Sequence, residues 1–320
     1  MQMETKRAIE SIQNSNRIAI ASHIAPDGDN VGAVLACATF LESLGKKVAV
    51  IKTDDIPEYL RFLPGLDRYE HPPDTAVFYD LFIALDCADR RRLGIAEEIF
   101  LNARNTLQLD HHKTNPGYAK INLIEPEASS TCEVLYELIQ EMECPVTSEM
   151  ATALYVGIGM DTGRFLYSNT SKRTLEIVEK LIETGFDRTF VNQKLWQSKT
   201  LPAAKLYMKA LSNVEFFENN TVAGACVTLH MAKECGTGVE DTEDIVHFIR
   251  DIEGVRVAYL IKEKKDRLYK VSLRSKNDVD VSKIAQCFDG GGHARASGLT
   301  FHGERAELES RLLVEIRKSL

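Results

Sequence analysis

Residues 105–113 read NTLQLDHHK, a run rich in apolar residues that closes on Asp110, His111 and His112. The run predicts a buried strand, and the carboxylate and the two imidazoles would lie where that strand emerges into a loop. Parallel α/β sheets carry their chemistry at such strand ends. This stretch therefore predicts an α/β fold with a functional site at the carboxyl edge of its sheet.

Three further apolar runs close on polar side chains in the same way. They cover residues 18–22, 81–85 and 155–160, and they are followed by His23, Asp27 and Asp29, by Asp86, and by Asp161. An isolated Asp-Gly-Asp is usually a turn, and an isolated His pair is usually part of a surface loop. Four such strand-end clusters in one domain argue against coincidence, so we expect these side chains to converge.

Converging carboxylates indicate a metal site. Two carboxylates ~4 Å apart repel by roughly 4 kcal/mol at an effective dielectric constant near 20, so four of them need a counter-charge. Oxygen ligands with some imidazole suit Mn²⁺ or Mg²⁺ better than Zn²⁺. The set is also too large for one catalytic ion with open positions. Two ions ~3.5–4 Å apart, bridged by one carboxylate, are the simplest interpretation.

The composition is typical of a globular protein with about two domains. The chain has 320 residues, of which 44% are hydrophobic and 27% charged, and its formal net charge is −8. Affinity for long duplex DNA grows with the number of phosphates that basic residues neutralise, so the negative charge argues against such a partner. A short or small phosphorylated substrate remains compatible with it.

The cysteines and the N-terminal segment predict a cytoplasmic protein. Seven scattered cysteines, with no Cys-x-x-Cys pair, are typical of a reducing compartment rather than of a disulfide framework or a zinc ribbon. Residues 1–16 are polar and charged, which is unlike a signal peptide, and no run of 18 apolar residues occurs. We therefore expect no membrane partner.

Strands alternate with helical patterns in the first half, which predicts a parallel sheet covered on both faces. Helices are expected over 31–44, 129–142, 148–159 and 170–184, a strand over 47–52, and a helical connection over 187–211 in which Pro202 starts or kinks the second helix. From residue 214 the pattern changes. Two strands around Asn219-Asn220, a helix over 242–251 and a hairpin of 255–262 with 268–274 predict a smaller domain with a mixed sheet.

The second domain has features of its own that favour an anionic ligand. Residues 262–276 contain seven Lys or Arg against two acids. Residues 289–298 read DGGGHARASG, and consecutive glycines allow backbone N–H groups to surround an anion. Alone, a glycine-rich turn is often only a flexible loop. Beside Arg274, Ser275 and a metal site, phosphate binding explains it better.

Taken together, these motifs resemble the DHH phosphoesterase family. His23, Asp27 and Asp29, then Asp86, then Asp110-His111-His112, then Asp161 are similar to its four motifs, and residues 271–275 and 290–298 are similar to the DHH-associated C-terminal domain. The resemblance covers nearly the whole chain. Its two-domain length is similar to that of the branch of bifunctional oligoribonucleases that also dephosphorylate 3′-phosphoadenosine 5′-phosphate (pAp).

The resemblance implies a domain division and a role for each site residue. It implies a DHH domain at 1–188, a helical linker at 189–213 and a substrate-binding domain at 214–320, with the active site in the cleft between the domains. One Mn²⁺ would be held by His23, Asp27 and Asp86, and the other by Asp29, Asp86, His111 and Asp161, so that Asp86 is a catalytic bridge. His112 would be a catalytic group that faces the substrate, and Asp110 would orient its neighbours. The residues that would bind the substrate are Arg274, Ser275, Gly290, Gly291, Gly292 and His293. Asp289 departs from the glycine that is usual before this glycine run. Its carboxylate would either weaken phosphate binding or point outward.

The implied activity is hydrolysis of short oligoribonucleotides to 5′-mononucleotides by a two-Mn²⁺ exoribonuclease, with Mg²⁺ as the alternative ion and pAp as a second substrate. A phosphodiesterase that acts on pApA or cyclic di-AMP is the alternative in the same class. A nucleotide- or RNA-binding regulator without turnover is the alternative from another class, and the complete ligand set argues against it. The sequence does not rank these substrates, and it leaves open whether the protein is a monomer or a homodimer.

Overall fold

A computed structural model of the chain describes residues 2–70, 77–240, 242–276 and 278–320. The chain divides into two compact units, Met1–Ser198 and Lys199–Leu320. Among the described residues, no helix combines the length and the apolar character that a membrane span requires. All seven cysteines are free thiols.

The first unit is built on a six-stranded parallel sheet. Its strands are β1 (Arg17–Ser22), β2 (Lys47–Ile51), β3 (Tyr69–Glu70), β4 (Leu81–Leu85), β5 (Asn105–Asp110) and β6 (Ile121–Ile124), in the spatial order β3-β2-β1-β4-β5-β6. The predicted parallel α/β fold is confirmed. Because the order runs outward in both directions from β1 and β4, their connecting loops diverge there, and this is where doubly wound sheets bind ligands.

Helices cover both faces of this sheet. They are α1 (Gln2–Gln13), α2 (Gly28–Ser43), α3 (Glu97–Asn102), α4 (Thr131–Glu141), α5 (Ser148–Asp161), α6 (Lys172–Glu183) and α7 (Arg188–Trp196), with 3₁₀ turns at Glu58–Leu60, Leu66–Arg68 and Arg90–Ala96. Along β1, Ile18 and Ile20 pack in the same core as α2, α4 and α5, while Ala19 and Ala21 pack in the core that contains α3. This alternation is that of a strand buried on both faces.

Two details of this unit correct the sequence expectations. The helix expected over 148–159 is confirmed as α5, so residues 155–160 are its last turns and Asp161 does not follow a strand end. Helix α2 begins at Gly28 rather than near Val31, since the Asp27 side chain caps it by accepting a hydrogen bond from the backbone N–H of Asn30. Asp29 therefore belongs to the first turn of a helix and not to a loop.

The second unit contains a separate six-stranded mixed sheet, as the sequence predicted. Its elements are α8 (Leu201–Leu211), β7 (Glu215–Phe217), β8 (Val222–Val227), α9 (Leu229–Cys235), α10 (Glu243–Asp251), β9 (Val257–Lys265), β10 (Leu268–Ser275), α11 (Val281–Gln286), β11 (Gly291–His293), β12 (Ala296–His302) and α12 (Arg305–Ser319). The strand order is β11-β12-β10-β9-β8-β7, and within the described ranges β8 and β9 are its only parallel pair. The helical connection over 187–211 is two helices, α7 and α8, with Pro202 in the first turn of α8.

Candidate functional site

The carboxyl ends of three neighbouring strands bring the predicted ligands together. His23 follows β1, Asp86 follows β4, and Asp110 is the last residue of β5 and precedes His111. Strand β4 pairs with both β1 and β5, so these ends are adjacent in the sheet. The cluster therefore lies at the point where the strand order reverses.

Asp86 is the centre of this cluster. Its Oδ2 lies 3.4 Å from Nε2 of His23, and its Oδ1 lies 3.8 Å from Nε2 of His111. Its backbone has φ = 52°, a left-handed conformation that is uncommon outside glycine and that concentrates at functional sites. Its Oδ1 also lies 3.6 Å from Nδ1 of His112, so one oxygen of this buried carboxylate faces His23 and the other faces the His111–His112 pair.

Three overlapping groups of side chains have ligand atoms close enough to hold a metal ion. They are His23, Asp27 and Asp86; Asp29, His111 and Asp161; and Asp86, His111 and His112, and within each group the ligand atoms lie within 4.8 Å of one another. The oxygen and imidazole donors suit Mn²⁺ or Mg²⁺. Since Asp86 and His111 each occur in two groups, the arrangement can accommodate two neighbouring ions.

Close packing of two helices brings Asp29 and Asp161 into the cluster. A Cβ added at Gly32 of α2 would lie 2.4 Å from the carbonyl oxygen of Ala153 in α5, and one added at Gly157 would lie 2.7 Å from Oδ1 of Asp29. Only glycine permits this approach. As a result, Asp161 at the end of α5 lies 3.0 Å from Nε2 of His111, measured from its Oδ2.

The N-terminus of helix α4 holds two of the carboxylates, a role that the sequence reasoning missed. The backbone N–H groups of Thr131 and Cys132 donate to Asp29 at 2.6 and 3.0 Å, and the Thr131 hydroxyl donates to Oδ1 of Asp86 at 2.9 Å. Anionic groups are stabilised at helix N-termini. Ser130 followed by Glu133 matches the capping signature that could have located this helix start.

Asp110 positions His111 and His112 through hydrogen bonds. Its Oδ1 accepts hydrogen bonds from the backbone N–H groups of His111 and His112, at 2.7 and 3.0 Å, and lies 2.6 Å from Nδ1 of His112. Its Oδ2 accepts a hydrogen bond from the side-chain amide of Asn115. These contacts fix the imidazole of His112, whose Nε2 is the nitrogen that does not contact Asp110.

The cluster carries an excess of negative charge that bound cations would balance. Burial and the charges of Asp86 and Asp161 raise the pKa of the Asp29 carboxyl well above its usual range. Burial opposes ionisation of Asp86 too, but its hydrogen bond to His23 and the nearby imidazoles lower its pKa to about 2. Among the described residues, the four carboxylates of Asp27, Asp29, Asp86 and Asp161 form ion pairs with histidines alone. Two divalent cations would balance their charge.

Burial also opposes protonation of His111, yet its pKa rises to about 10. The causes are its hydrogen bond to Asp161 and the negative charges of Asp29 and Asp86. Without a bound metal ion, the positive charge of a protonated His111 thus balances part of the carboxylate charge. Metal binding would displace that proton.

In the second unit, the structure places Arg274 and His293 in one row across the sheet. Arg274 of β10 is paired with Ala296 of β12, which is paired with His293 of β11. Directly paired residues project to the same face of a sheet, and the small Ala296 leaves space between the two longer side chains.

The other predicted substrate-binding residues are arranged differently. The hydroxyl of Ser275 is buried and donates to the carbonyl oxygen of Val279 at 2.6 Å, so it serves the domain's own structure. Gly291 and Gly292 are exposed in the short edge strand β11, which Gly290 precedes. Gly291 and Gly292 therefore belong to an edge strand rather than to a glycine-rich turn.

Asp289 is exposed and adopts φ = 57° at the end of α11. Its backbone N–H donates to the carbonyl oxygen of Gln286 at 3.1 Å. This left-handed conformation favours glycine, and Asp is among the few other residues that tolerate it. The departure from glycine at this position is thus compatible with the local backbone.

Comparison with known families gives two matches. The family described as DHH family, N-terminal domain, matches residues 17–158, and the DHHA1 domain matches residues 225–318. The first range contains every predicted metal ligand except Asp161, and the second contains all the predicted substrate-binding residues.

Curated relatives and solved structures agree with these matches. The bifunctional oligoribonuclease and PAP phosphatase NrnA of Thermus thermophilus is 32% identical over 95% of this chain and 90% of its own. The Bacillus subtilis protein of the same name is 27% identical over 92% of each chain. An exopolyphosphatase-related protein from Bacteroides fragilis is 25% identical, with a TM-score of 0.94 over 99% of this chain and 96% of its own. An exonuclease RecJ bound to manganese shares the fold, with 14% identity and a TM-score of 0.51 over 98% of this chain and 94% of its own.

Proposed function

The chain belongs to the DHH family and carries a DHHA1 domain, and from this premise we propose that it is a phosphoesterase that hydrolyses short oligoribonucleotides to 5′-mononucleotides and converts pAp to AMP. The names of the Thermus and Bacillus relatives support both activities. Their chains match this one over nine-tenths or more of their length, so the proposal concerns the same two-domain unit.

The observation that carries the proposal is the position of Asp86 between two ligand groups. Its Oδ2 faces His23 and its Oδ1 faces His111, as a carboxylate that bridges two ions would. We assign one ion to His23, Asp27 and Asp86, and the other to Asp29, Asp86, His111 and Asp161. The ions are proposed to be Mn²⁺, with Mg²⁺ as the alternative, because the donors are oxygen and imidazole nitrogen without sulfur.

Two bound divalent ions would supply Lewis acidity toward a phosphoryl group and a water that ionises near neutral pH. The protein itself positions the reacting groups. Thr131 fixes Oδ1 of Asp86, while Asp110 fixes the ring of His112. In our proposal, Nε2 of His112 donates a proton to the leaving oxygen, a role that suits an imidazole raised in pKa: burial lowers that pKa, but Asp110 and Asp86 outweigh it.

The second unit is proposed to bind the substrate. Arg274 and His293 share one row of its sheet, with Ala296 between them, and would hold a terminal phosphate or base. A pair of contacts of this kind serves substrates of a few nucleotides and adds nothing for a long strand. We therefore propose a preference for RNAs of two to five nucleotides.

Hydrolysis by purified, metal-stripped protein reconstituted with Mn²⁺ or Mg²⁺ tests this function. The substrates are pAp, pApA, cyclic di-AMP and labelled RNAs of two to twenty nucleotides, and product identity is read by chromatography. We expect release of 5′-mononucleotides from the shortest RNAs and of AMP from pAp, with turnover restored by metal. Cleavage of cyclic di-AMP or pApA alone would instead assign the protein to dinucleotide hydrolysis, and binding without turnover under either metal would contradict the proposal.

A further inference from the structure

A groove lies beside the metal-ligand cluster, on the loops that carry Asp86 and His112. It has a volume of about 460 Å³ and is open to solvent. Its walls include Ala88, Arg90, Arg92, Thr114, Pro116 and Tyr118, together with Asp89 and Arg91, which form an ion pair with each other. The volume falls within the ~300–1,000 Å³ range of small-molecule sites. Arg92, which lines the groove, lies 3.0 Å from Nδ1 of His23, so the groove adjoins the cluster.

Arg92 differs from the two arginines that precede it. Arg90 forms an ion pair with Glu97 at 2.9 Å, and Arg91 forms one with Asp89 at 2.8 Å. Across the described parts of the chain, Arg92 has no carboxylate within ion-pair distance: its Nη2 donates to the carbonyl oxygen of Ile24 at 3.2 Å and lies 3.0 Å from Nδ1 of His23. A guanidinium without a carboxylate partner, held at the edge of a metal site, is suited to bind phosphate.

The opposite wall of the groove is rigid and partly aromatic. The hydroxyl of Tyr118 donates to the carbonyl oxygen of Cys87 at 2.8 Å. Its ring packs edge-to-face on Phe100, with 5.5 Å between the ring centroids. Pro116 is exposed next to it. A wall of this kind provides an apolar surface for a ribose or a nucleobase.

We propose that this groove binds the nucleotide adjoining the scissile phosphate, with Arg92 bound to the phosphate that is not cleaved and the base or ribose packed beside Pro116 and Tyr118. The inference rests on the proposed phosphoesterase function and adds a substrate subsite formed by the first unit alone. None of its residues belongs to the predicted metal ligands or to the Arg274–His293 row.

Two variants and one control test the groove. Thr114→Trp fills it from an exposed loop position, and Arg92→Ala removes the guanidinium, which Arg92→Lys should partly replace. Arg104→Ala is the control, because this exposed arginine precedes β5 at the opposite end of the sheet. For each protein we would measure kcat and KM on pApA and on bis-p-nitrophenyl phosphate, and Mn²⁺ affinity by titration calorimetry.

In Arg92→Ala, the loss of a hydrogen-bonded charge contact to the phosphate should lower kcat/KM on pApA about 10-fold or more, mainly by raising KM. Thr114→Trp should have a similar effect. In Thr114→Trp, the generic ester, which has no second phosphate, should change by less than about 3-fold, and the affinity for Mn²⁺ should stay that of the wild type. An equal loss on both esters or a wild-type rate on pApA in Thr114→Trp would overturn the inference, as would a lower Mn²⁺ affinity in Arg92→Ala that accounts for its whole loss on pApA, because Arg92 also contacts the proposed metal ligand His23.

Binding of AMP separates this inference from the proposed function. Calorimetric titration of AMP into wild-type protein and into Thr114→Trp requires no turnover. If the wild type cleaves no RNA or dinucleotide, the proposed function fails, while weaker AMP binding by the variant would still support the groove. If the wild type is active but both proteins bind AMP equally, the groove is not the subsite.

Discussion

The strand-end cluster of the first unit and the Arg274–His293 row of the second unit are built on opposite principles. In the cluster, the side chains of Asp29 and Asp86 are only 1% and 3% exposed. Each is also held by hydrogen bonds from α4. In the row, Arg274 is half-buried and its Nη1 donates to the carbonyl oxygen of Leu273 at 3.0 Å, while His293 is exposed on a three-residue edge strand. Buried and interlocked groups are positioned before the substrate arrives, whereas exposed groups adapt to it. Changes in the cluster should therefore abolish chemistry, and changes in the row should weaken binding.

The largest effect is expected from Asp86→Ala. Because its two oxygens face His23 and His111, removing the carboxylate separates the two ligand groups. We expect no measurable turnover and a lower manganese content by elemental analysis. Asp266→Ala, in an exposed turn of the second unit, is the control for loss of one acid. Turnover near that of the wild type would refute the bridging assignment.

The next effect in size is expected from His112→Ala. Loss of a general acid typically costs about 10²- to 10⁴-fold in kcat. Since Nδ1 of His112 is engaged by Asp110, the manganese content should stay unchanged. Rapid-quench measurement of kcat with parallel metal analysis checks both points. If metal is lost together with activity, His112 is a ligand, as its group with Asp86 and His111 also permits.

A smaller effect is expected from Arg274→Ala and His293→Ala. Hydrogen bonds to charged groups contribute ~1.5–3 kcal/mol each, so kcat/KM on dinucleotides should fall roughly 10- to 150-fold per substitution. The generic ester bis-p-nitrophenyl phosphate should be nearly unaffected. If activity falls equally on the generic ester and on the dinucleotide while the metal content stays intact, the row does not bind the substrate.

The cluster also depends on the close contact between α2 and α5. In Gly32→Ala the new Cβ would lie 2.4 Å from the carbonyl oxygen of Ala153, so α2 and α5 must move apart. Overpacking of this kind costs typically 1–3 kcal/mol, and we expect a lower denaturant midpoint and weaker Mn²⁺ binding. Gly159→Ala on the same helix α5 is the matched control, because its nearest new contact is at 4.0 Å. Equal midpoints in the two variants would show that the close helix contact is not required.

The smallest effect is expected from Asp289→Gly. The carboxylate is exposed, so its repulsion of a phosphate is screened by salt, and KM for phosphorylated substrates should fall by less than about 3-fold at 0.1 M salt. Steady-state kinetics at low and high ionic strength measure the change. A larger, salt-sensitive decrease would place Asp289 at the bound phosphate.

The sequence located most of the cluster because a strand end is a local signal. Apolar runs that stop at a carboxylate or an imidazole marked the ends of β1, β4 and β5 correctly. Residues 155–160 fitted both the strand-end pattern and the helix expected over 148–159, because a short apolar run is compatible with either, and the structure has the helix, α5. Helices α1, α3, α9, α11 and α12 were not predicted. The predicted domain limits and the ligand assignment of each ion remain predictions.

The sequence alone determined the kinds of ligand, their order along the chain and the parallel sheet that carries them, because these follow from residue type and short-range periodicity. Only the tertiary structure decided that the two oxygens of Asp86 face different imidazoles and that α4 holds Asp29. Thr131 donates to a carboxylate 102 residues earlier in the chain, and Arg92 lies beside a histidine 69 residues earlier. Contacts over such separations depend on how closely helices and loops pack, here on the absence of a side chain at Gly32 and Gly157, and local sequence patterns carry no signal of that distance.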